Sequence, residues 1–110
     1  MTVIALALVI GCHHDVKTGA ETANLWPNKM SEKCFDLAVG EKLAYRFNAT
    51  ESVLFNIHYH LKKEVIHELS EHLIARRDGT FEPAISGRYC LMWTNPSTHT
   101  AKIEYDYTIR

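Results

Sequence analysis

Hydrophobic and polar side chains alternate one for one along several stretches of this chain. Leu43, Tyr45 and Phe47 alternate with Ala44, Arg46 and Asn48. Val53, Phe55, Ile57 and Tyr59 repeat the pattern, which puts Asn56, His58 and His60 on the opposite side. Tyr89, Leu91 and Trp93 continue it after Ser86-Gly87. Near the C-terminus, Ala101, Ile103, Tyr105, Tyr107 and Ile109 point one way while Lys102, Glu104, Asp106, Thr108 and Arg110 point the other. A period of two is the signature of a strand with one buried face. With turns read at Gly40, Asp78-Gly79 and Asn95-Pro96, the pattern predicts a mainly β domain over 31–110, a small antiparallel β-sandwich.

One segment breaks the period. Val65, Ile66, Leu69, Leu73 and Ile74 are spaced as on one face of a helix, with Gly79 as a stop signal. Read locally, this is a short amphipathic helix within 63–77. Alternation also fits its first half, where Val65, His67 and Leu69 would share a face. Periodicity alone leaves both readings open.

The N-terminus is different again. Met1 to His14 contains no Asp, Glu, Lys or Arg, and every formal charge lies from Asp15 onward. An apolar run of this length matches the core of a signal peptide and is shorter than the roughly 20 residues a membrane span requires. It ends Leu8-Val9-Ile10-Gly11-Cys12, which resembles the lipobox of bacterial lipoproteins, although no Lys or Arg precedes it. The resemblance implies a signal peptide over 1–11, cleavage before Cys12, and acyl chains on its sulfur. His13 to Met30 is polar and aperiodic, with Gly19 and Pro27 as breakers, so 12–30 reads as the lipidated Cys and a flexible tether.

Composition narrows the partners. Twelve Lys and Arg face 13 Asp and Glu, a formal net charge of -1. Nucleic acid is not an expected partner, because it calls for a concentrated basic face. Three Cys is an odd number. Lipid on Cys12 leaves Cys34 and Cys90 to pair in an oxidising compartment, the alternative being two unpaired core thiols in a reducing one. A bridge closing so long a loop would contribute about 4 kcal/mol in the chain-entropy picture.

Several of these stretches together resemble the GOLD domain, a β-sandwich known from cargo receptors of the early secretory pathway. The residues that carry the likeness are Cys34-Phe35, Val53-Leu54-Phe55-Asn56-Ile57, Gly79-Thr80-Phe81, and the run from Gly87 to Asn95 with its Gly-x-Tyr start. The resemblance implies a sandwich, strand rather than helix near Val65 to Leu69, and a disulfide from the first Cys to the Gly-x-Tyr strand. Here the second Cys is at 90, whereas the family's usual place corresponds to Met92, two residues along on the same strand face. The receptors' membrane helix and coiled coil have no counterpart in this sequence, so their trafficking role is not carried over.

Seven His invite a site hypothesis. His58 and His60 share one face of a predicted strand. If 55–61 and 64–69 form a hairpin turning at Lys62-Lys63, His67 lies across from His58, within reach of a shared metal ion. Imidazoles suit Cu(II), Zn(II) or Ni(II), while Met92 or a free Cys90 nearby would favour Cu(I). The competing reading is a solvated polar strand face. No GxSxG elbow, Gly-rich phosphate loop or convergent carboxylate pair is present, and no catalytic role is expected.

The sequence therefore points to a non-enzymatic, lipid-anchored protein of the cell envelope. It would face the periplasm, on the outer membrane, or the cell surface, because His13 is not the Asp of inner-membrane retention. Its expected partners are the membrane, through the lipid, and another envelope protein. The alternative is an envelope metal-binding protein using His58, His60 and His67. Cys12→Ser should abolish incorporation of labelled fatty acid and release the chain from the membrane fraction; unchanged labelling would refute lipidation at this sulfur.

Overall fold

The computed structural model describes residues 16–110, and among them six strands and no helix: β1 (Lys17–Leu25), β2 (Met30–Leu37), β3 (Leu43–Leu61), β4 (Glu64–Phe81), β5 (Gly87–Thr94) and β6 (Ala101–Ile109). The signal peptide expected over 1–11, Cys12, His13 and His14 lie outside the described residues. All strand pairs are antiparallel, in the order β1-β6-β3-β5-β2, with β4 on the other edge of β3. The mainly β, antiparallel expectation holds.

β3 organises the sheet. Its first half, Leu43 to Ala49, pairs with β6, and its second half, Leu54 to Tyr59, pairs with β5. The register with β4 breaks between Asn48 and Val53, so the two halves belong to different parts of a curled sheet. Those parts face each other across an aromatic core. Trp93 on β5 lies 4.5 Å from Tyr105 on β6 and 5.7 Å from Phe47 on the first half of β3 (centroid to centroid). Phe35 on β2 meets Tyr107 at 4.6 Å in an edge-on contact. Leu43, Val53, Phe55, Trp93, Ala101 and Ile103 are wholly buried, all at positions the alternation pointed inward.

The segment with helical spacing is strand, and β-bulges explain its pattern. Phe55 pairs with His72, Ile57 with Leu69, and His58 with His67, so β4 twice carries one residue more than β3. Each bulge lengthens the interval between core-facing positions from two residues to three. Ile66, Leu69 and Ile74 therefore all pack on the core although their spacing mimics a helix face, whereas Val65 and Leu73 are exposed. Lys62-Lys63 forms the two-residue turn, with Lys62 left-handed at φ 57°. Asp78-Gly79 is not a turn: Gly79 pairs with Tyr45 inside β4, and the Tyr45 ring covers the place of a Cβ.

Lys17–Leu25, expected to be tether, is also strand, paired along β6 from Lys17↔Ile109 to Leu25↔Ala101. It has no hydrophobic alternation because it is an edge strand, held chiefly by its backbone ladder. Gly19 lets the Tyr107 ring lie flat over the backbone, where any Cβ would collide with it.

Two polar devices close the ends. Asn95 is fully buried and forks across two loops: its Nδ2 donates to the carbonyls of Leu25 (2.9 Å) and His99 (2.7 Å), and its Oδ1 accepts from Ser97 N and Oγ. Its backbone N–H donates to Lys29 O, and its carbonyl accepts from Asn28 N. The β1–β2 and β5–β6 connections are thus tied by one side chain. At the seam between the sheet's two ends, Lys33 Nζ on β2 lies 2.7 Å from Glu21 on β1, and Tyr105 Oη donates to the same carboxylate at 3.1 Å. The Lys33 ammonium, with the Tyr105 hydroxyl, holds Glu21 below the usual carboxylate range.

Asn95→Ala takes the side-chain partner from the buried Leu25 carbonyl and from the Ser97 N–H, and should cost roughly 1–3 kcal/mol in urea unfolding; a loss under about 0.5 kcal/mol would refute its bracing role. Glu21→Gln should cost a few tenths to about 1 kcal/mol near neutrality, the seam being partly solvated. With a depressed folded value, this contribution is complete above the unfolded glutamate value of about 4.3 and fades as pH falls through the folded one. Wild type and variant should therefore converge in stability as the pH is taken below that depressed folded value.

Candidate metal centre

Strand pairing sets a row of side chains across the sheet. His67 on β4 pairs with His58 on β3, His58 with Cys90 on β5, and Cys90 with Cys34 on β2. Since Tyr59 and Ile57 face the core, all four face away from it. One row along, Asn56 pairs with Met92, and Met92 with Glu32. On the other side of His58 comes His60.

Both Asn56 and His58 are buried, at 1% and 4% exposure, although they belong to the outer face. A buried polar pair must find partners, and here it does so internally. His58 Nδ1 lies 2.7 Å from Asn56 Oδ1, and His58 Nε2 lies 3.0 Å from a Glu32 carboxylate oxygen. Glu32 stands two strands away, roughly 9.5 Å at strand spacing. Its side chain reaches over β5 from one side while the imidazole reaches from the other.

This arrangement suits a cation. If Nδ1–H donates to Asn56 Oδ1, the Nε2 lone pair faces a carboxylate, and something positive must lie between them. A proton can serve, but burial foremost, and then the neighbouring imidazoles of His60 and His67, lower the pKa of His58 against the pull of Glu32. A metal ion can take that place instead. A ligating His commonly donates its other ring N–H to a fixed acceptor, as His58 does to Asn56.

One ligand atom from each of Glu32, His58, His60 and Cys90 lies within 4.8 Å of all the others. The His58 and His60 rings are 5.2 Å apart, and Glu32 and His60 are open to solvent while His58 and Cys90 are buried. His67 takes the predicted register opposite His58, with ring centroids 5.9 Å apart, but falls outside this ligand set. His72 bonds its own strand at Ser70 O, and His99 lies beside Glu51.

Cys34 and Cys90 form a disulfide between directly paired positions of β2 and β5. It lies on the outer face, within the site, so Cys90 Sγ has no thiolate to offer while the bridge is closed. In that state the donors are two imidazoles and one carboxylate, a set that suits Zn(II), Cu(II), Ni(II) or Fe(II) and leaves coordination positions open. Of the neighbours of the histidines, the sequence offers Cys90 but not Glu32 or Asn56. Glu32 carries no local signal, because its relation to His58 exists only through β5.

Among the described residues no helix is long and apolar enough to cross a membrane. No protein-family model matches the chain, and comparison with curated proteins finds no similar sequence. Among solved structures, the chain is similar to a de novo designed double-stranded β-helix, at 11% identity and a TM-score of 0.48, over 81% of this chain and 97% of the other.

Proposed function

We propose that this protein is a lipid-anchored, non-catalytic binding module of the bacterial cell envelope whose ligand is a divalent transition-metal ion, held by Glu32, His58 and His60. The observation that carries the metal is the Glu32–His58–Asn56 relay. A buried imidazole is fixed on one nitrogen by a buried amide, while its other nitrogen faces a carboxylate at 3.0 Å. His60 adds a second, exposed imidazole from the same strand face.

Zn(II) and Cu(II) are the best-suited ions, since both accept imidazole and carboxylate oxygen. The anchored location rests on the lipobox-like run ending at Cys12, and the Cys34–Cys90 bridge supports an oxidising compartment. A GOLD-like sandwich remains the family expectation for this domain.

Calorimetric titration of the oxidised, metal-stripped protein should show binding of one Zn(II) or Cu(II) per chain. His58→Ala/His60→Ala should abolish it, and Glu32→Gln should weaken it roughly 10- to 100-fold. Wild-type affinity no better than that of the double variant would reject the site.

A further inference from the structure

Resting on the metal-binding reading above, the geometry points to a redox-gated site: we infer that opening the Cys34–Cys90 disulfide delivers the Cys90 thiolate as a fourth ligand beside Glu32, His58 and His60. The bridge is thus a regulator of metal affinity as well as a staple.

Three observations lead there. Cys90 Sγ already lies within 4.8 Å of a ligand atom from each of the other three residues. Tetrahedral bonds of 2.0–2.3 Å put ligand atoms about 3.3–3.8 Å apart, so contraction by about 1 Å is enough. The two exposed members, Glu32 and His60, are free to supply it by side-chain rotation. Cys90 is also held in place independently of the bridge, because β5 pairs with β3 on its other edge and sets Cys90 directly beside His58. Losing the disulfide leaves that backbone register intact.

The two sulfurs are unequal. Cys90 is 2% exposed, whereas Cys34 is only partly buried. An incoming thiolate therefore attacks Sγ of Cys34, and the S–S bond breaks with its electron pair leaving on Cys90. The co-reactant is a dithiol. Its first sulfur forms the mixed disulfide with Cys34, and its second attacks that sulfur and displaces Cys34 as a thiolate. The dithiol is oxidised by two electrons to its own disulfide, and the pair Cys34/Cys90 is reduced by two. Of the two protons the dithiol loses, one ends on Cys34 and the other goes to Cys90, or to solvent when Cys90 binds metal. The leaving thiolate is thus released among the ligands that would share the ion. A thiolate completes a closed four-coordinate N₂OS set of the kind that holds Zn(II) or Co(II) tightly. The same ligand also slows reoxidation, because a metal-bound sulfur is a poorer nucleophile toward Cys34.

Co(II) is the probe, since thiolate ligation gives it a near-ultraviolet charge-transfer band that imidazole and carboxylate ligation do not. The protein is the full chain carrying Cys12→Ser, which removes the third thiol, compared oxidised and after reduction by a dithiol with anaerobic removal of the reductant. Oxidised protein should bind Co(II) with d–d bands only. Reduced protein should bind roughly 10- to 100-fold more tightly and show the thiolate band. Cys34→Ser should show that band without any reductant, Cys90→Ser should lack it under all conditions, and His58→Ala in the Cys34→Ser background should lose it. Far-ultraviolet circular dichroism follows the fold throughout. Absence of the band from both reduced protein and Cys34→Ser overturns the inference, whether the sulfur fails to reach the ion or the domain unfolds without its bridge. If oxidised protein still binds Co(II) in that case, the three-residue site stands and only the gating falls; if no form binds, both fall.

Discussion

Between Phe55 and Tyr59, β3 buries both of its faces, and most of this architecture follows from that constraint. One face supplies Val53, Phe55, Ile57 and Tyr59 to the aromatic core. The other carries Asn56 and His58, which have lost water as fully as the residues behind them. Dry polar atoms without partners cost about 1–3 kcal/mol each, so this face had to become a connected cluster. Glu32 reaching across β5 and the amide of Asn56 meet that demand. The hydrogen-bond ladders on both edges of β3 then fix each member's position to within the tolerance of a strand register.

The disulfide belongs to the same outer surface. Here the bridge joins two central positions on the polar face, beside imidazoles that would otherwise be neighbours of two thiols. Framework and chemistry therefore share atoms. Closing the bridge leaves a harder, oxygen- and nitrogen-rich donor set, while opening it adds a soft one.

The sequence was most legible where one face of a strand is buried and the other wet. β6 and the first half of β3 follow their alternation residue by residue, because nothing interrupts the pleat. Legibility failed where the backbone departs from period two. Two bulges stretched the Ile66, Leu69, Ile74 spacing into a helix-like pattern, and only pairing with β3 reveals them. β1 was missed for another reason, since an edge strand of Thr, Gly and Ala advertises no buried face. Of the site, the His58–His67 register could be read from a two-residue turn at Lys62-Lys63. Glu32 could not, since no local pattern ties it to a strand two places away. His67 takes the register opposite His58 that the sequence predicts, but strand opposition does not specify where ring nitrogens point.

The position of β1 has a spatial consequence. Strand structure begins at Lys17, and five residue steps from Cys12 reach at most roughly 17 Å. Acyl chains at Cys12 would therefore draw the start of β1 down to the lipid headgroups, leaving the domain little freedom to roam. That end of the molecule gathers Lys17, Lys42 and Arg110 around one shallow hollow, with Glu41 as its acidic member. His58 and His60, near the opposite end of β3, would then lie at the far end of the domain from such an anchor.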